Sequence, residues 1–177
     1  DGTPFTFEAW TTVRTHNTWA RIFSLGNQNG GGDGSGTGGM ATGIFYGFRK
    51  WNHNATAFSL YPTNVGVSEE TIDGLLAVNT EYHFVFVVNP NGNGGSTISV
   101  YIYNARTGEK FASFIKEYPN WDPSLITANN CWLGHSQWND MDACAEFNEV
   151  RIWNAALSEA QIRANTAHGP DVVLPIT

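Results

Sequence analysis

Residues 149–162 read Glu-Val-Arg-Ile-Trp-Asn-Ala-Ala-Leu-Ser-Glu-Ala-Gln-Ile, and their pattern changes from that of a strand to that of a helix. Val150 and Ile152 supply the apolar positions of a β-strand. Ser158 is a favourable helix N-cap and is followed by helix-favouring residues. The segment therefore predicts a closing strand that leads at once into one short helix, from Ser158 to about Asn165.

Most of the remaining chain alternates short apolar runs with turn residues, which is typical of an antiparallel all-β domain. The predicted strands cover residues 5–13, 19–25, 42–49, 56–61, 82–88, 97–103 and 110–115. Residues 82–88 are nearly all apolar and predict a central strand that is buried on both faces. We expect a two-sheet antiparallel β-sandwich of jelly-roll character with one short C-terminal helix.

The length and composition predict one globular domain. The chain has 177 residues, of which 41% are hydrophobic and 14% aromatic, enough to form a real core and to exclude general disorder. We place the domain at residues 1–168 and interpret residues 169–177 as a linker or tail. Because the chain opens on Asp1 without Met, we expect a processed or excised piece of a longer protein with covalently linked neighbouring domains.

The charge balance narrows the classes of partner. The net charge is −7, with 9 Lys and Arg residues against 16 Asp and Glu residues. This balance argues against nucleic acid and anionic membranes, because there is no surplus of basic side chains to neutralise phosphates. No apolar run approaches the roughly 18–20 residues that a membrane-spanning helix needs. We therefore predict neither nucleic-acid binding nor membrane insertion.

The closing segment resembles the end of a laminin-G-like, concanavalin-A-like or pentraxin-like domain. In that superfamily the segment often reads Asp-Glu-Val-Arg-Ile-Trp-Asn-Arg-Ala-Leu-Ser, and here Asn148 replaces the acidic residue before Glu149. The resemblance spans about residues 4–166. It implies a jelly-roll sandwich and an exported, extracellular or cell-surface recognition module. Such a module most often binds a glycan within a larger enzyme or surface protein.

The two cysteines predict a disulfide between Cys131 and Cys144. An even cysteine count in a domain with few charges fits an exported protein. Closing this loop would contribute roughly 3 kcal/mol in the chain-entropy model. Cysteine pairs near the end of laminin-G-like sandwiches support the pairing, and the alternative is two free buried thiols in a cytosolic protein.

Three stretches combine aromatic and planar polar side chains, namely residues 49–54, 118–122 and 132–140. Sugar recognition needs both, because aromatic faces stack on the C–H faces of sugar rings and polar groups fix the hydroxyls. The tryptophans predicted to stack on sugars are Trp51, Trp121 and Trp138. The side chains predicted to bind hydroxyls are Arg49, His53, Asn120, His135, Gln137 and Asn139.

Each aromatic residue also has a structural interpretation. Trp51 and Trp121 could cap the sandwich edge, and Trp132 lies in a strand pattern that favours the core. The strand patterns assign Trp10, Trp19 and Trp153 to the core. His83 lies in an apolar strand and is expected to be a buried histidine with satisfied hydrogen bonds.

Calcium is the cofactor that the chain suggests. The ion takes six to eight oxygen ligands, and Asn139, Asp140 and Asp142 bring three oxygen-bearing side chains to one short segment. We predict Asp140 and Asp142 as the ligands, with a solvated acidic turn as the alternative. The pentraxin-like double-calcium site is not implied, because residues 133–137 lack acidic side chains.

Two other functions remain open. A structural or protein-docking module would use the same sandwich with no glycan site, and a polysaccharide-cleaving enzyme would need paired carboxylates. Glu146 and Glu149 are the nearest approach to such a pair, but in a strand they point to opposite faces. We therefore predict binding without catalysis.

The glycine-rich residues 30–39 lack the lysine and following helix of a phosphate-binding loop. We expect them to be a flexible loop.

Overall fold

The regular structure of this chain consists of short antiparallel strands and one helix. A computed structural model describes residues 2–28, 40–128 and 130–176, so the glycine-rich residues 30–39 lie outside the described residues. The strands within this part of the chain are β1 (Phe5–Thr15), β2 (Arg21–Gln28), β3 (Met40–Gly47), β4 (Ala55–Tyr61), β5 (Val67–Asp73), β6 (Glu81–Pro90), β7 (Ser96–Asn104), β8 (Lys110–Tyr118), β9 (Asn130–Leu133) and β10 (Cys144–Trp153). A 3₁₀ turn covers Pro123–Leu125, and helix α1 covers Glu159–His168.

The strands form two five-stranded sheets within the described residues. Sheet A has the order β10-β1-β6-β7-β8, and sheet B has the order β5-β4-β3-β2-β9. Every neighbouring pair is antiparallel. The predicted antiparallel β-sandwich with one C-terminal helix is therefore confirmed.

The core lies between the two sheets and is rich in aromatic rings. Phe86 of β6 contacts Phe23, Tyr46 and Phe58 of sheet B with ring centroids 5.2–6.0 Å apart. The opposite face of β6 carries Val85 and Val87, which pack into a second cluster under α1. Strand β6 is thus buried on both faces and lies centrally in its sheet, as its continuous apolar run predicts.

Helix α1 begins with a capping box. The Ser158 hydroxyl accepts from the Gln161 backbone N–H, and the Gln161 side chain accepts from the Ser158 backbone N–H. This arrangement satisfies N–H groups that the first turn leaves without helical partners. Ile162 anchors the helix in the second cluster on sheet A. No helix of the described residues is long and apolar enough to cross a membrane.

Two segments of sheet structure differ from the prediction. Strand β5 is not predicted, because its sequence Val-Ser-Glu-Glu-Thr-Ile-Asp breaks the alternation of apolar and polar residues. It lies at the edge of sheet B, where only one neighbouring strand is needed. Strand β10 begins at Cys144, before the predicted closing strand, and exposed and half-buried residues alternate along it only as far as Glu149.

The predicted disulfide is wrong in this structure. Cys131 and Cys144 are both exposed free thiols. Cys131 lies on β9 at the edge of sheet B, whereas Cys144 begins β10 at the edge of sheet A. Because the two edge strands belong to opposite sheets, the segment between them crosses from one layer to the other.

A polar network is buried between sheet A and α1. The Glu8 carboxylate accepts from Asn165 Nδ2 at 3.0 and 3.1 Å and from Trp153 Nε1 at 2.5 Å. His83 Nε2 lies 3.2 Å from Glu8 Oε1, and its Nδ1 lies 2.8 Å from Thr166 Oγ1. The expectation that His83 is a satisfied core histidine is confirmed, since it is fully buried and has a partner on each ring nitrogen.

The network shifts the titration of both ionisable groups. Burial opposes ionisation of Glu8, but hydrogen bonds from His83, Asn165 and Trp153 keep its pKa below the ordinary value. Burial lowers the pKa of His83, although Glu8 acts in the opposite direction. Trp10 stacks flat on the His83 ring at 3.8 Å, so the network is closed by an apolar surface.

Candidate functional site

The strongest candidate site is a cavity of about 210 Å³ on the outer face of sheet B. On β3, Ile44 and Tyr46 face the core, so Phe45 between them points to the opposite face. The residues that line this cavity are Trp19, Arg21, Phe45, Tyr61, Ser68, Glu69, Trp138 and Asp140.

Arg21 and Phe45 form the base of the cavity. The Arg21 guanidinium carbon lies 3.9 Å from the Phe45 ring centroid, and its Nη2 donates to Asp140 Oδ2 at 2.7 Å. Its Nη1 donates to the Trp19 carbonyl. The side chain is almost fully buried, and burial lowers its pKa to about 10 despite Asp140. Arg21 is thus held by a cation–π contact and by hydrogen bonds that fix its orientation.

The covering loop, residues 134–143 between β9 and β10, brings Trp138 over this base. The Trp138 ring meets Phe45 edge-on at 5.4 Å and lies 5.6 Å from Tyr61. The Ser136 hydroxyl donates to Asp140 at 2.9 Å and accepts from the Trp138 backbone N–H at 3.1 Å. The same carboxylate that holds Arg21 therefore also fixes the loop that carries Trp138.

Trp19 forms a side of the cavity, so its assignment to the core is wrong. Its ring meets Phe45 edge-on at 6.3 Å and is only half-buried. Its backbone has a φ of 58° and lies in the turn between β1 and β2, just before β2 begins at Arg21. The apolar pattern around Trp19 predicted a strand, but this left-handed backbone turns the residue away from that pattern.

Two of the predicted sugar-binding residues do not reach the surface. Trp121 is 0% exposed, and its indole N–H donates to the Tyr61 carbonyl at 3.0 Å. Gln137 is also fully buried, and its side-chain oxygen accepts from Asn130 at 3.2 Å. The prediction that these side chains contact ligand directly is wrong, because both are used to hold neighbouring backbone and loop segments. Asn120 is exposed but is not among the residues that line the cavity.

The remaining predicted residues lie on two loops. Trp51 and His53 are exposed on the Trp51 loop, residues 48–54, where Arg49 donates to the His16 and His53 carbonyls. Asn139 is exposed on the covering loop. On the same loop, His135 is partly exposed; its Nδ1 pairs with Asp142 at 2.5 Å and its ring packs edge-on against Trp132. The structure brings only Trp138 and Asp140 of the predicted set into the cavity.

The two predicted calcium ligands have different partners. Asp140 faces Arg21 and Ser136, whereas Asp142 is exposed and faces His135. Within the described residues, no group of three or more His, Cys, Asp or Glu side chains could hold a metal ion. These contacts do not supply the oxygen-rich shell that calcium takes, and the calcium site stays a prediction.

The sequence analysis did not predict three residues that line the cavity, namely Arg21, Phe45 and Tyr61. One signal was available, since Arg21 is a charged residue within a predicted apolar strand. A buried charge requires a partner, but the partner is Asp140, far away in the sequence. Only the pairing of β2 with β3 and the course of the covering loop bring these residues together.

A larger cavity of about 280 Å³ lies between α1 and the tail and is mainly apolar. Its residues are Trp153, Leu157, Ala160, Gln161, Ala164, Asn165, Leu174, Pro175 and Ile176. This lining has no charged side chain to orient a ligand. The sheet B cavity combines aromatic surfaces with fixed polar groups, which is the usual composition of a specific binding site.

Comparison with known proteins agrees with the fold. The model of the concanavalin A-like lectin/glucanases superfamily matches residues 1–163. A search of curated proteins finds no significant match.

Two solved structures resemble the chain over most of its length. A candidate carbohydrate-binding protein from Bacteroides ovatus is 17% identical with a TM-score of 0.55, over 93% of this chain and 41% of that protein. The heptameric SAP-like pentraxin from Limulus polyphemus is 14% identical with a TM-score of 0.54, over 92% of this chain and 69% of the pentraxin. The chain therefore spans less than half of the Bacteroides protein. At these identities the likeness shows the fold.

Proposed function

Because the chain belongs to the concanavalin A-like lectin/glucanases superfamily, we propose that it is an exported, non-catalytic module that binds carbohydrate in the sheet B cavity. The observation that carries the proposal is the combination of four aromatic rings with a fixed Arg21–Asp140 pair in one cavity. The rings are Trp19, Phe45, Tyr61 and Trp138.

The chemistry of the cavity suits a sugar ring. A pyranose presents apolar C–H faces that stack on aromatic rings and hydroxyls that need oriented hydrogen-bond partners. Trp138 is half-buried and held at both its backbone and its ring, so little conformational freedom is lost on binding. Preorganisation of this kind favours affinity because the protein pays no large ordering cost.

Binding without catalysis is supported by the state of the carboxylates. Glycoside cleavage uses two carboxyl groups, one to protonate the leaving group and one to act as nucleophile or base. In this cavity Asp140 pairs with Arg21, and Glu69 pairs with Lys50. Both carboxylates are thereby held by cations and serve to shape the cavity.

The Bacteroides neighbour supports the same proposal at the level of fold, since it is described as a candidate carbohydrate-binding protein. Fold alone does not fix a function, so the argument depends on the cavity. A single site of this size implies weak affinity, which repeated modules in a parent protein would raise through avidity.

A glycan panel tests the proposal. We expect the protein to bind a neutral glycan, Trp138→Ala to abolish the signal, and the melting temperature to change little. Ile115→Ala is the matched control, because Ile115 is an exposed apolar side chain on β8 of sheet A. Equal binding by wild type and Trp138→Ala would overturn the assignment of the cavity, and no binding to any glycan would favour a protein-docking module.

The same panel in calcium and then in EDTA tests the ion. Loss of binding in EDTA would support calcium near Asp140 and Asp142. Binding that is unchanged by EDTA would leave the aromatic cavity as the whole of the site.

A further inference from the structure

The Trp51 loop extends the cavity, and this inference rests on the proposed function. We propose that the ligand is an uncharged glycan of at least two sugar rings. One ring occupies the sheet B cavity, and the next ring stacks on Trp51. Trp51 is therefore a second subsite that determines a preference for chains over single sugars.

Trp51 is held in an exposed position at a conformational cost. Its side chain is 59% exposed and its φ is 36°. A positive φ is a genuine outlier for a bulky residue, and such strain concentrates at functional sites. Trp19, the other tryptophan of the described residues with positive φ, lines the cavity itself.

Three contacts tie the Trp51 loop to the cavity wall. The Trp19 backbone N–H donates to the Arg49 carbonyl at 3.0 Å, and the Thr18 hydroxyl lies 3.5 Å from the Trp51 carbonyl. Lys50 pairs with Glu69, which lines the cavity. The two residues before Trp51 and its own carbonyl thus contact residues that line or adjoin the cavity, which places the Trp51 loop and its exposed ring beside the site.

The volume of the cavity sets how much ligand enters. At about 210 Å³ the cavity is smaller than the roughly 300–1,000 Å³ of sites that enclose a drug-sized ligand. It is sized for one ring. A longer glycan must leave the cavity, and the Trp51 loop offers an aromatic surface at its edge.

The charges of the cavity favour a neutral ligand. Arg21 and Lys50 carry positive charge, while their partners Asp140 and Glu69 carry negative charge. Within the cavity these pairs cancel, so an anionic ring bound there would gain no unpaired cation and would lie against two carboxylates. A cationic ligand would likewise have to compete with Arg21 or Lys50 for its partner.

Titration calorimetry with defined sugars tests the proposal. The probes are glucose, galactose, mannose, their linear tetrasaccharides and tetragalacturonic acid. We expect a tetrasaccharide to bind about fivefold or more tightly than its own monosaccharide, the gain typical of one aromatic stack. Tetragalacturonic acid should bind more weakly than the neutral tetrasaccharide. The higher affinity of the neutral tetrasaccharide over its monosaccharide should persist at high salt.

Variants separate this inference from the proposed function. Trp51→Ala should remove the higher affinity of the tetrasaccharide over its monosaccharide and leave the affinity for the monosaccharide unchanged. Trp51→Tyr should restore the higher affinity of the tetrasaccharide. Trp138→Ala should weaken both ligands. If Trp51→Ala keeps the full gain while Trp138→Ala abolishes binding, the second subsite is wrong and the cavity stands. If neither variant changes binding, the proposed function itself fails.

Discussion

At the scale of single residues, the Asp140 side chain contributes both to the stability of the fold and to the geometry of the candidate site. Its carboxylate bonds to the buried Arg21 and to Ser136 of the covering loop. Removing one partner of a buried ion pair leaves the other charge without compensation. Asp140 therefore holds the base of the cavity and the loop above it in one arrangement.

The contrast between Asp140 and Asp142 is measurable. We expect Asp140→Asn to lower the free energy of unfolding by about 2 kcal/mol, because Arg21 loses its charged partner in a largely buried place. Asp142→Asn is the control, since Asp142 is 73% exposed, and its unfolding midpoint should equal that of wild type. Urea unfolding measures both, and equal stability of the two variants would show that the Arg21–Asp140 pair contributes little.

The tryptophans provide a second comparison of residues that look alike in sequence. Trp121→Ala should destabilise the protein by roughly 3–5 kcal/mol, because it removes a fully buried ring and its hydrogen bond. Trp51→Ala should change stability by less than about 0.5 kcal/mol, as substitutions at exposed positions usually do. Thermal and urea unfolding compare the two variants, and a stable Trp121→Ala would contradict the burial of Trp121.

These two tryptophans also mark a limit of sequence reasoning. Both stand beside asparagine in turn-like stretches, so the local composition predicts the same role for both, stacking on a sugar ring. What separates them is distant, because Trp121 packs into the core and donates to the Tyr61 carbonyl at the end of β4. Contacts of this kind depend on the fold and have no local signature.

At the scale of elements, the start of α1 could be predicted from the sequence, whereas the helix continues to His168, three residues beyond its predicted end. Ser158 and Gln161 form the capping box that their three-residue spacing favours. Strand β5 was not readable, because its two adjacent glutamates disrupt the alternation. Strand β5 forms through its backbone hydrogen bonds to β4, which its side-chain pattern does not indicate.

The cap of α1 is expected to be a local determinant of stability. Ser158→Ala should lower the free energy of unfolding by about 1 kcal/mol, since the Gln161 backbone N–H loses the hydroxyl that accepts its hydrogen bond. Ser158→Thr keeps a hydroxyl and should lose much less. Native-state hydrogen exchange of the α1 amides would locate the effect, and equal exchange in the alanine and threonine variants would contradict the capping role.

At the scale of the whole molecule, the buried network under α1 joins distant parts of the chain. Glu8 lies on β1, His83 on β6 and Asn165 on α1, so the network connects the first strand, the centre of sheet A and the helix. The sequence predicted each element but not this connection. A glutamate in an apolar strand indicates that it has a buried partner, but the sequence does not show which residue that partner is.

This network should make stability depend on pH. The pKa values of both Glu8 and His83 are lowered in the folded state. As the pH falls, the unfolded chain therefore binds protons that the folded protein does not, and the free energy of unfolding decreases. The contribution of His83 is full above its unfolded value of 6.5 and declines below it. That of Glu8 declines below 4.5.

Urea unfolding between pH 7.5 and pH 4 measures this dependence. His83→Gln should flatten the curve between about pH 6.5 and 5, although the variant is less stable at every pH because the stack on Trp10 is lost. His53→Gln, on the exposed Trp51 loop, should leave the curve unchanged. A His83→Gln curve parallel to that of wild type would show that other groups set the acid sensitivity.

The two free thiols are natural attachment sites for fluorescent dyes. Cys131 and Cys144 are its two cysteines, both are exposed, and they flank the loop that carries Trp138. A donor and an acceptor dye on these positions would span the passage from one sheet to the other. Because the covering loop is held in place before binding, energy transfer between them should stay unchanged when a ligand enters, a test that needs no engineered attachment points.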